Sequence, residues 1–138
     1  MSQSEEKRPL PTIRVVAAVI ERGGRYLITR RRPSAVLPLL WEFPGGRVEH
    51  DENHEDALKR EVRHRLGVEI RVSELMNFVS HRYERYIVEL HLFACEISAG
   101  ELKPHHVHEL RWVQSDELDS IDFTPADEIS MNQLLDIN

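Results

Sequence analysis

The sequence predicts an α/β domain, a mixed β-sheet with a helix packed on each face. Two observations carry this. Apolar, β-branched runs of strand length alternate with turn signals, and one charged segment repeats its apolar residues every fourth position, as one face of a helix requires. The resulting order, strands, helix, strands, helix, is that of a sheet covered on both sides. At 138 residues the chain is one domain by length, enough to bury roughly two thirds of its unfolded surface without staples.

Residues 1–11 are charged at first and carry prolines at 9 and 11, with no apolar core. They are expected to form a disordered tail before a domain spanning 12–138, and they do not read as a secretory signal. Residues 13–20 are a first strand, Gly23-Gly24 a hairpin turn and residues 26–30 a second strand. Pro33 and Pro38 make residues 33–40 a surface loop leading to Trp41-Glu42-Phe43. Leu58, Val62 and Leu66 share the core face of a helix over 53–66. Residues 68–79 read as one or two strands with a break at Ser73-Glu74, and 86–97 as a long strand that is apolar on both faces. Ala99-Gly100 and Pro104 mark a loop carrying His105, His106 and His108, and a short strand follows at 109–113. Thr124-Pro125 caps a final helix whose apolar side holds Ile129, Leu134, Leu135 and Ile137.

Composition narrows the classes of function. With 41% hydrophobic and 30% charged residues, the chain is an ordinary globular one. No apolar run approaches the roughly 20 residues of a membrane span, so no membrane partner is expected. The single cysteine, Cys95, excludes an internal disulfide, and the expected location is the cytoplasm. A net charge of −6 argues against duplex DNA, while the local Arg30-Arg31-Arg32 cluster suits a small anion. Protein partners are not legible.

Most of the functional signal lies between Pro44 and Val68. A Pro44-Gly45-Gly46 turn, where glycines permit close backbone approach, feeds a charged helix ended by Gly67. Backbone and carboxylates there can converge on a polyphosphate or a metal. Ala57, Glu61, His64 and Arg65 form a stripe beside the core face, with Arg60 on its far side. The acids in the first turn (Glu52, Glu55, Asp56) and the bases in the last (Arg63, His64, Arg65) also complement the helix dipole, a purely structural account of the same charges.

These residues resemble the Nudix hydrolases, within them the MutT-like branch. The Nudix box runs Gly, five residues, Glu, seven residues, Arg-Glu, aliphatic, any, Glu-Glu, any, Gly, aliphatic. Gly46, Glu52, Arg60, Glu61, Val62, Gly67 and Val68 fill seven of its nine defined positions in register. Trp41 to Gly46 before the box, Glu109 to Val113 and Phe123 to Asp127 after it are also MutT-like. The resemblance implies an α/β/α sandwich, a mixed sheet between two helices. It implies hydrolysis of a nucleoside diphosphate linked to a further group, assisted by Mg²⁺ or Mn²⁺ on oxygen ligands.

Residue by residue, the resemblance carries over Glu61, Glu52 and Arg60 as the catalytic set and Gly45 and Glu61 as metal-binding positions. His64 and Arg65 stand where the box has its acid pair, and His106 falls where a further acid is expected. Arg65, one turn from Glu61, should form an ion pair with it and repel a cation. His64 and His106 could complete a site with Glu61 for Zn²⁺ or Mn²⁺, which suit imidazole better than Mg²⁺ does. On the substrate side, Arg30 matches a phosphate-binding arginine, Phe43 lies beside the base, and Asp127 reads the base edge as an acceptor from exocyclic amino groups. Tyr83 is a further stacking candidate. Structural readings stand beside each: Phe43 as core, Asp127 as a first-turn acid, Arg30 as solvated, Tyr83 as a strand aromatic. Two functions are expected from this pattern. One is a weak or metal-shifted nucleoside triphosphate pyrophosphohydrolase; the other is a nucleotide-binding sensor or interaction module that has lost turnover.

Overall fold

The computed structural model describes residues 9–129. Within them run β1 (Thr12–Arg22), β2 (Arg25–Arg30), β3 (Trp41–Glu42), β4 (Gly45–Arg47), α1 (His54–Leu66), β5 (Val68–Arg82), β6 (Ile87–Gly100), β7 (Glu109–Gln114) and a 3-10 turn, Ser115–Ser120. Residues 125–129 are helical; Leu134, Leu135 and Ile137, expected on the apolar side of that helix, lie outside the described residues, as does most of the expected N-terminal tail.

β1 joins the sheet together. It runs parallel to β6 from Thr12 opposite Ile87 to Ile20 opposite Cys95. Its other edge is shared, antiparallel to β4 at Val15 to Ala17 and to β2 at the hairpin end. β2 continues to β3 and β7, and β5 pairs antiparallel with β6. The sheet is therefore mixed, as expected. The break expected at Ser73-Glu74 is instead a bulge: Val72 faces Cys95 and Leu75 faces Phe93, and β5 continues as one strand. An extra residue in one strand kinks a ladder without ending it.

Side chains alternate along a strand, so β1 feeds two cores. Val16, Ala18 and Ile20 pack with Leu58, Val62 and Leu66 of α1. Ala17 and Val19 pack on the other side with Leu90, Leu92, Phe123 and Ala126. Leu58, Val62 and Leu66, all fully buried, each contribute roughly 1.5–3 kcal/mol of transfer free energy. α1 is also capped at both ends. The Asn53 side chain accepts from the Asp56 N–H at 2.8 Å, and Gly67, at φ +74°, donates its N–H to the Arg63 carbonyl. This left-handed position is one that glycine takes at little cost. Among the described residues no helix is long and apolar enough to cross a membrane.

Candidate functional site

The short strand β4 sets the loop hard against β1. A Cβ on Gly45 would lie 1.9 Å from the Val16 carbonyl oxygen, and one on Gly46 would lie 2.0 Å from Glu61 Oε2. The first glycine lets two backbones touch; the second leaves room for the Glu61 carboxyl directly over the loop. Gly45 is thus packed into the sheet, and Glu61, only 9% exposed, is the group that the loop presents.

Arg60 ties this loop to the helix. Its Nε and Nη2 donate to the two oxygens of Glu52 at 2.8 and 2.9 Å, and Nη2 also donates to the Arg47 carbonyl. Its Nη1 donates to Glu61 Oε1 at 2.6 Å. The paired bonds from Arg60, together with the Glu49 N–H, hold the Glu52 carboxyl down at about 2. Glu52 is thereby held as an ionised partner of Arg60 at the start of α1. Arg60 is a positioning residue that fixes Arg47, Glu49 and Glu52 to α1.

The second oxygen of Glu61 is also engaged. Arg65 Nε donates to Glu61 Oε2 at 2.9 Å, and Arg65 Nη1 lies 3.9 Å from Glu42. The expected ion pair is therefore present, and Glu61 accepts from a guanidinium on each oxygen. His64 turns away to stack on His106, with ring centroids 4.0 Å apart and planes within 8°. Among the described residues no three His, Cys, Asp or Glu side chains come together in a way that could hold a metal ion. Gly45 is packed into the sheet, Glu61 is bound by two arginines and His64 stacks on His106, so the four residues are not gathered around one point. A hard divalent cation wants several free oxygens. This donor set, one doubly paired carboxylate with an arginine beside it, does not fit such an ion.

A second region lies across β1 and β6. Tyr83 and Tyr86, stacked at 5.1 Å, line a largely apolar pocket of about 280 Å³ together with Leu37, and Glu42 and Asp127 add carboxyl groups to its lining. The Tyr83 hydroxyl accepts from the Ala126 N–H at 3.4 Å. Asp127 is buried; its Oδ1 accepts from the Phe43 N–H at 3.0 Å and its Oδ2 from the Thr124 hydroxyl at 2.6 Å. Burial, then the nearby Glu42, pushes its carboxyl up to about 7. Glu42 is raised too, chiefly by burial, with Arg31 and Arg65 acting in the other direction. Both Asp127 oxygens are thus already engaged as acceptors, from the Phe43 N–H and the Thr124 hydroxyl, at the edge of the pocket.

Arg31 rather than Arg30 reaches these clefts. Arg30 donates to the Leu39 carbonyl and to Glu109, tying down the 33–40 loop. Arg31 donates to the Val36 carbonyl and to Glu42, and lines both regions. Phe43 packs its ring 5.9 Å from Phe123 in the core while its backbone bounds the site. Glu42 and Tyr86 were not singled out by the sequence, and Arg31 only as a member of the 30–32 basic cluster. For Glu42 a signal exists: an acid between two buried aromatics, Trp41 and Phe43, must lie on the opposite face.

Comparison with known proteins agrees with this architecture. A NUDIX domain family model matches residues 15–133. A CTP pyrophosphohydrolase of Escherichia coli K12 is 37% identical over 115 residues, covering 83% of this chain and 85% of that one. An 8-oxo-dGTP diphosphatase of Haemophilus influenzae is 30% identical over 124 residues, covering 89% and 91%. The solution structure of the E. coli ORF135 protein superposes with a TM-score of 0.79 at 33% identity, covering 93% of this chain and 91% of that one. With its glycine turn, its capped helix and its covered mixed sheet, this chain belongs to the Nudix family, in the MutT-like branch.

Proposed function

We propose that the protein is a MutT-like nucleoside triphosphate pyrophosphohydrolase of low turnover, releasing the monophosphate and pyrophosphate. The base enters the pocket under Tyr83 and Tyr86, where Asp127 and Glu42 meet its edge, and the phosphates extend past Arg31 toward α1. Relatives named for CTP and 8-oxo-dGTP support a nucleotide as the substrate class. Buried, hydrogen-bonded polar groups at the end of an apolar pocket are what discriminate among bases.

The observation that carries the low turnover is the double engagement of Glu61, by Arg60 at 2.6 Å and Arg65 at 2.9 Å. Nudix proteins generally work with a divalent metal, and here the acids that would hold one give way to His64, Arg65 and His106. The reaction is therefore left with orientation and charge neutralisation by arginine. The same ion pair favours a second reading, a nucleotide-binding sensor or interaction module without turnover. Release of pyrophosphate from a panel of nucleoside triphosphates separates them. Measurable native turnover abolished by Glu61→Gln supports the enzyme; release indistinguishable from buffer, with nucleotide binding intact, supports the sensor.

A further inference from the structure

The face of α1 where related proteins carry acids opens on a cleft of about 270 Å³ lined by Arg31, Arg32, His64, Arg65 and His106, with no carboxylate among its lining residues. That volume is below the roughly 300–1,000 Å³ of a pocket for a drug-sized ligand; it suits a compact group. We infer that this cleft is a metal-independent anion site for phosphate groups, in which arginine and imidazole donors take the place of a bound cation. The inference rests on the proposed function only for the identity of the phosphate carrier, a nucleotide.

The donors are held but not used up. Arg65 engages Glu61 through Nε alone within hydrogen-bond distance, and its Nη1 is 3.9 Å from the nearest Glu42 oxygen. Its terminal nitrogens remain for an anion. Arg31 is fixed by the Val36 carbonyl through Nε and by Glu42 through Nη1, leaving Nη2. Arg32 is exposed and makes no ion pair among the described residues. A planar fork anchored at one nitrogen is well suited to bidentate contact with phosphate.

The two imidazoles complete the wall. His64 and His106 stack with ring centroids 4.0 Å apart, and both line the cleft. Arg32 adds a guanidinium with no carboxylate partner among the described residues, beside the partly engaged Arg31 and Arg65, and an anion in the cleft would meet all three. Unlike a carboxylate cage, such a site binds phosphate without a metal and competes with one.

Calorimetric titration of inorganic pyrophosphate into the full chain in EDTA tests this. Saturable binding is expected, weakened roughly tenfold or more by Arg32→Glu and by His64→Glu. Arg71→Glu, the same charge change on β5 outside the cleft, should leave it within about twofold at physiological salt. Both Arg32 and His64 are exposed, so the variants should fold, as circular dichroism would verify. Absence of binding in EDTA overturns the inference, and so does an equal loss in Arg32→Glu and Arg71→Glu. A nucleoside triphosphate that binds only once Mn²⁺ is added, with pyrophosphate failing in EDTA, overturns it while leaving the proposed function standing. Pyrophosphate held through Arg32 with no nucleotide binding supports the site and sinks the proposed function.

Discussion

The pocket under Tyr83 and Tyr86 gathers two buried carboxyl groups, Glu42 and Asp127, around the Arg31 guanidinium. The front of α1 does the reverse, gathering Arg31, Arg32 and Arg65 with two imidazoles, and its Glu61 is already neutralised by arginines on both oxygens. The two regions share a scaffold and differ in how tightly packing constrains them. Asp127 is bound into the core by Phe43 and Thr124, so replacing it disturbs the fold. His64, Arg65 and His106 lie on the surface, where the sign of the charge can change without moving the backbone. A helix can thus keep its buried stripe and its caps while the chemistry of its exposed face is rewritten.

The largest expected effect breaks both regions at once. Gly45→Ala should cost about 3 kcal/mol or more in chemical denaturation, because the new methyl meets the Val16 backbone rather than a movable side chain. β4 would then part from β1, and binding at either end should weaken.

A second change sharpens the contrast by acting on one end alone. His64→Glu with Arg65→Glu returns two carboxylates to the face of α1 and frees one oxygen of Glu61. Magnesium-dependent pyrophosphate release should rise by roughly a hundredfold or more over the native chain. Thermal stability should change little, since neither side chain belongs to the core. No gain would mean that more than these two positions has been lost.

The two ends should also answer pH in opposite ways. The Asp127 carboxyl, raised to about 7 in the folded protein, holds its proton where the unfolded chain has released it. The folded state then binds more protons, and stability falls as pH rises from roughly 4 to 7. Asp127→Asn should flatten that limb of the stability curve. Glu52 is held down at about 2, so its contribution is complete above the unfolded value and is lost as pH falls from roughly 4.5 to 2. Glu52→Gln should flatten only this acid limb, the smallest of the four effects because the pair with Arg60 is partly exposed. Denaturation midpoints across pH for the two variants would show whether the limbs separate.

Much of this fold was legible beforehand because it rests on local patterns. The four-residue repeat of Leu58, Val62 and Leu66, and the left-handed cap at Gly67, need only a few neighbours in sequence to be read. The Arg65 to Glu61 ion pair was legible for the same reason, as a contact one helical turn long. What the sequence did not reveal depends on chain segments far apart. Arg31 lies just past β2, and only the fold of the 33–40 loop decides that it, and not Arg30, faces the clefts. Glu42 meets Asp127 across 85 positions of chain, which no local pattern reports. The stacking of His64 on His106 joins α1 to a loop beyond β6, a contact across some forty positions that no local pattern reports.

If arginine and imidazole take the place of a cation at the front of α1, as proposed, the native chain should hold no manganese ion there. Titration of Mn²⁺ into the native chain, followed by electron paramagnetic resonance of the free ion, tests it most directly. No saturable Mn²⁺ site is expected in the native protein, and one should appear in His64→Glu with Arg65→Glu. One equivalent of Mn²⁺ bound by the native chain, and lost in Glu61→Gln, would contradict it.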